Sequence, residues 1–156
     1  MSTKILTNIP ITKTLNNNEY TYFINGGLTN YMKEKYNIEL YDEPNECVLV
    51  NDNGKYHLKI IEYKDYILKN KQKDDDYDYE LKTGNFKIKE YNLMFQNYMN
   101  INISMCYVLS KRFEDKLNTN QYRYSIVENI LKENNIKLIN EYSDSIYEEL
   151  QNWIFL

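Results

Sequence analysis

The sequence predicts an α/β protein: a single domain with a mixed sheet of about five strands and helices packed on it. Three observations lead there. Short apolar runs, Cys47-Val48-Leu49-Val50 and Ile103 to Leu109, have the length and β-branched character of buried strands. They alternate with segments whose apolar residues recur at helical spacing, as Tyr91, Met94, Phe95 and Tyr98 do. A turn signal, Asn51-Asp52-Asn53-Gly54, directly follows the first apolar run, so a hairpin stands beside the helical crossovers and the sheet must be mixed. The 156 residues suit one domain, burying roughly 68–70% of the unfolded chain's surface.

The elements follow in order. Residues 1–27 read as an extended lead-in, with strand-like alternation at Tyr20, Tyr22 and Ile24 that Asn25-Gly26-Gly27 ends. The domain proper spans residues 28–156. Leu28 to Tyr36 reads as a helix with Leu28, Tyr31, Met32 and Tyr36 on one face. Cys47–Val50 is a strand, and a second strand, bent or broken midway, runs from Lys55 to about Leu68. Tyr77, Tyr79 and Leu81 alternate with Asp78, Glu80 and Lys82, which predicts a third, half-buried strand.

Ile88 to Asn100 is then a helix and Ile103 to Leu109 a strand. Thr119 to Asn134 is a helix burying Tyr122, Ile126 and Ile130, with Val127 and Leu131 as further candidates. Ile136 to Ile139 is a short strand. Ser145 and Glu148 have capping-box spacing at the start of a last helix carrying Ile146, Leu150, Trp153 and Ile154. The predicted order is an α-β-β-β-α-β core followed by α-β-α. The strands Cys47–Val50, Ile60–Leu68 and Ile103–Leu109 are expected at its centre.

Composition excludes several classes. The chain has 23 Asn, 17 Tyr, two Arg and no Ala, the codon signature of an AT-rich genome such as that of a giant virus, a phage, a clostridium-like bacterium or an apicomplexan, which makes Asn and Tyr abundance uninformative about binding. Without Ala, helices rely on packing rather than intrinsic propensity. The net charge of −4 carries no global basic field for nucleic acid. No apolar stretch is long enough to span a membrane, and the N-terminal residues lack the apolar core of a secretory signal. The expected location is therefore the cytoplasm, that of a host cell or a virion if the source is viral, with no membrane partner. Cys47 and Cys106 lie 59 positions apart, each in an apolar run, and read as reduced core thiols. His57 is the only histidine, which leaves a triad mechanism without support.

The predicted run of helix, three strands, helix and strand, with Asp65 fifteen positions before Glu80-Leu81-Lys82, resembles the core of the PD-(D/E)xK nuclease superfamily. The string ELKTGNFK is similar to a stretch in one bacterial branch of that superfamily, and the resemblance covers about residues 65–98. It implies a catalytic set of Asp65, Glu80 and Lys82. Asp65 and Glu80 would hold Mg²⁺ or Mn²⁺, and nucleic acid would be the substrate. The chemistry needs these types: hard carboxylate oxygens for the metal, a metal to activate water, and a Lys two places along the strand to face the same side.

A second register, Glu62-Tyr63-Lys64 behind the apolar Leu58, Ile60 and Ile61, competes with Asp52 upstream. It has the better strand, but the following helix arrives only after another predicted strand. The alternative class is a non-catalytic viral, phage or immunity-type interaction protein with an unidentified protein partner, a decayed nuclease-like fold being one form of it. Alternating charges on a strand are then a solvated face. The Asp74–Asp78 cluster lacks the pattern of a calcium loop.

Overall fold

The structure is a computed structural model describing residues 11–65 and 79–155. Its elements are β1 (Ile11–Leu15), β2 (Asn18–Ile24), α1 (Gly27–Tyr36), β3 (Glu46–Asp52), β4 (Lys55–Lys64), α2 (Tyr79–Lys82), α3 (Gly84–Phe95), β5 (Ile101–Leu109), α4 (Lys111–Asn118), α5 (Gln121–Glu133), β6 (Ile136–Asn140) and α6 (Ile146–Phe155). The fold is α/β with one six-stranded mixed sheet in the order β1-β2-β3-β4-β5-β6. β1 to β4 form an antiparallel meander. β5 and β6 are parallel. Between β4 and β5, Tyr56 N–H donates to Asn100 O at 2.9 Å and Ser110 N–H to Lys64 O at 2.9 Å. Both strands advance together between these two bonds, which is parallel pairing.

The turns follow the sequence chemistry. Asn53 (φ 50°) and Gly54 (φ 91°) form the two-residue left-handed loop expected of Asn-Gly, and Gly54 N–H donates to Asn51 Oδ1 at 2.9 Å. A second such loop, Asn16 and Asn17 at φ 52° and 67°, joins β1 to β2. Residues 11–24, read from sequence as lead-in with a strand-like end, are thus a paired hairpin. Asn-Asn lacks the Gly that marks such loops, and the turn signal was correspondingly weak.

Compact packing divides the chain into two units, residues 1–61 with 90–104, and residues 62–89 with 105–156. In the first, α1 buries Leu28 and Met32, and Asn37 in the left-handed region (φ 54°) ends the helix. Phe23 packs its ring 5.2 Å from that of Tyr31, and β3 is buried from Cys47 to Val50. Tyr91 and Phe95 are buried and stacked, while Tyr98, predicted on the same face, lies beyond the end of α3 and is 58% exposed. In the second unit, β5 is buried without a break from Met105 to Leu109, as a strand flanked on both sides requires. Around it lie Leu81, Phe113, Leu117, Val127, Leu131, Ile136 and Ile139.

Two expectations are corrected. The strand predicted at Tyr77–Leu81 is instead helical from Tyr79 to Lys82, and Tyr77 and Asp78 lie outside the described residues. The sheet passes from β4 directly to β5. A strand inserted there would have set Asp78, Glu80 and Lys82 on one face of a central strand, where charge is costly. The predicted core order therefore gives way to β-β-α-β-β-α-α-β-α-α-β-α. The second correction is the buried face of α5: Val127 and Leu131 are buried, whereas Tyr122, Ile126 and Ile130 are 79%, 44% and 46% exposed. Helix α5 has two apolar stripes, and periodicity alone does not say which one meets the core.

No break occurs midway: β4 runs unbroken from Lys55 to Lys64, and Tyr66 to Leu68 lie outside the described residues. Both thiols are buried and unbonded. Among the described residues no helix is long and apolar enough to cross a membrane.

Candidate functional site

β4 is an alternating strand whose one face reads Leu58, Ile60, Glu62, Lys64. Leu58 and Ile60 are fully buried. The face stays covered where it turns polar: the side chains of Glu62 and Lys64 are only 12% and 14% exposed. A carboxylate this deep needs compensation. It comes from two ammonium groups. Lys87, on α3, donates to Glu62 Oε1 at 2.8 Å. Lys64 Nζ stands 3.3 Å from Oε2, which is itself buried without a hydrogen-bond donor. Lys64 also lies 5.5 Å over the ring of Tyr107.

α3 begins with Gly84, which lies close against β5 and β6. A Cβ there would stand 2.6 Å from Tyr107 Oη and 2.8 Å from Ile136 Cδ1.

Asp65, the first residue past β4, accepts from Ser110 Oγ at 2.6 Å and from Arg112 at 2.5 Å. Ser110 is at once the N-cap of α4, accepting from Phe113 N–H at 3.1 Å. Glu62, Lys64, Asp65, Lys87 and Arg112 thus gather at the C-terminal ends of two parallel strands, the place where open α/β sheets bind ligands. The Glu62 contacts with Lys64 and Lys87 and the Asp65 contact with Arg112 are two separate sets of ion pairs.

The predicted site residues are distributed as follows. Asp65 lies at this strand end, held by Ser110 and Arg112. Glu80 and Lys82 lie on α2. Two positions on a helix are about 200° apart, so the same-face relation expected of a strand pair does not hold for them. Lys82 is exposed, and the side chain of Glu80 lies outside the described residues. The alternative pair, Glu62 and Lys64, is on a strand, on one face and in mutual contact. The objection to it was an intervening strand, and the next described element after β4 is helical. Its upstream partner Asp52 sits at the opposite end of β4, paired in register with Lys55.

Lys87 and Arg112 carry no motif of their own in the sequence. Ser110 does: a Ser three positions before Phe113, with Leu117 four further on, is a helix-start signal for α4.

A carboxylate is the hard-oxygen type a divalent cation takes, and Glu62 Oε2 accepts no hydrogen bond, but Lys64 and Lys87 stand where they would have to yield to a cation. Mg²⁺ is commonly held by one or two carboxylates, with water and substrate phosphate completing its shell. Among the described residues no group of three His, Cys, Asp or Glu side chains is placed to hold a metal. Comparison with family models, with curated proteins and with solved structures finds no match to this chain.

Proposed function

We propose that the chain is a metal-dependent nuclease of the PD-(D/E)xK type whose working Glu-x-Lys pair is Glu62 and Lys64. One observation carries this reading: the pair lies on the helix-covered face of a strand end, in mutual contact, with a second lysine, Lys87, supplied by the helix that follows. In the proposed reaction Glu62 would hold a divalent cation. A bound cation would supply activated water and offset phosphate charge. Lys64 orients the attacking water or neutralises the scissile phosphate, and Lys87 fixes the Glu62 carboxylate and adds positive charge beside the phosphate. Arg112, fixed by Asp65, contacts the flanking backbone.

The test is digestion of end-labelled single- and double-stranded DNA and RNA in Mg²⁺ or Mn²⁺. Glu62→Gln keeps shape and removes charge, so it should lower cleavage at least about 100-fold, while Glu80→Gln should leave it near wild type. Equal cleavage by wild type and Glu62→Gln contradicts the assignment. A second reading, a non-catalytic interaction protein, draws on a different feature, the exposed apolar stripe of α5.

A further inference from the structure

Lys64 of the candidate pair is seated on an aromatic ring. Tyr107, on the neighbouring strand β5, is fully buried, and Lys64 Nζ stands 5.5 Å from the centroid of its ring. The face of an aromatic ring attracts an ammonium group, and the attraction strengthens where water is excluded. Here the Lys64 side chain is only 14% exposed.

The ring is itself held. A Cβ at Gly84 would stand 2.6 Å from Tyr107 Oη and 3.3 Å from Cε2, so the start of α3 closes the space into which the ring could turn. A lysine gains from such a support. Its stem is long and flexible, and fixing the ammonium costs side-chain entropy. The contact of Lys64 with Glu62 Oε2, at 3.3 Å, is an ion pair without a hydrogen bond, and it is the contact a cation at Glu62 would displace. The ring attracts the ammonium without drawing on that carboxylate.

We propose that Tyr107 is the positioning residue of Lys64: its clamped ring holds the ammonium at the end of β4 and so sets where Lys64 meets the attacking water or the phosphate. The role in cleavage rests on the nuclease reading, whereas the ring contact stands apart from it.

Nuclear magnetic resonance on the metal-free full chain tests the contact, and cleavage kinetics test its use. The ring current of Tyr107 should move the Lys64 ε-methylene protons upfield of those of exposed lysines, the resonance being assigned by its loss in Lys64→Arg. Tyr107→Phe keeps the ring and should keep the shift, and Tyr107→Leu should abolish it. In digestion, Tyr107→Leu should lower kcat about tenfold with KM little changed, and Tyr107→Phe should stay within about twofold of wild type. Lys64 protons that match those of exposed lysines in the wild type overturn the proposal, whether or not Tyr107→Leu folds. So does a Tyr107→Phe as slow as Tyr107→Leu, or a Tyr107→Leu with wild-type kcat. A wild type that shows the shift but cleaves nothing overturns the nuclease reading and leaves the placement of Lys64 by Tyr107 standing.

Discussion

At the scale of single residues, burial decides behaviour. Desolvation pushes the Cys47 thiol far above its usual range, and it pushes Cys106 up to about 12. Neither is a reactive thiolate near neutral pH. Below the usual thiol value of about 8.5 both states hold the proton, and these groups give stability no pH dependence. Above it the unfolded chain releases protons that the folded chain keeps. Stability therefore falls as pH rises from about 9 toward 12, by roughly 1.4 kcal/mol per pH unit for each thiol. The urea midpoint should be lower at pH 10 than at pH 8, and Cys106→Val should show a shallower decline than the wild type. Equal slopes in the two proteins would contradict the burial account.

Single residues also show how legibility varied. Both thiols were readable as buried, because each sits in an unbroken apolar run. Asp65 was readable as a strand-end carboxylate, but its partners Ser110 and Arg112 lie 45 and 47 positions away, and only the fold brings them in.

At the scale of elements, the strand β4 and the helix α3 make the candidate site. α3 also approaches the sheet closely at Gly84, where a Cβ would press on the buried side chains of Tyr107 on β5 and Ile136 on β6. Gly84→Ala should destabilise the fold by about 1–3 kcal/mol through overpacking, read as a lower denaturation midpoint. A neutral or stabilising effect would mean that α3 shifts freely. The sequence disclosed β3, β4, β5 and the Asn-Gly hairpin well, since their apolar runs and turn residues are local signals. It failed at residues 79–82, where Tyr79 and Leu81 mimic strand alternation over too few positions to separate period 2 from a helical turn. It also failed on α5, where two apolar stripes compete and only packing against the second unit's core selects Val127 and Leu131.

At the scale of the whole molecule, the α/β class and the mixed sheet were legible because hairpins and helical crossovers leave different spacings between strands. The count was lower than the structure's six strands, since β1 carries Ile11-Thr-Lys-Thr-Leu15, too polar to stand out as a strand. The candidate site was half legible. Both Glu-x-Lys pairs could be read from the sequence, but choosing between them required knowing which pair ends a strand and which lies on a helix. That choice is the central claim, and calorimetric titration with Mn²⁺ tests it most directly, on the wild type, Glu62→Gln and Glu80→Gln. The account predicts saturable binding in the wild type, its loss in Glu62→Gln and its retention in Glu80→Gln. Binding that survives Glu62→Gln, or that vanishes in Glu80→Gln alone, would contradict it.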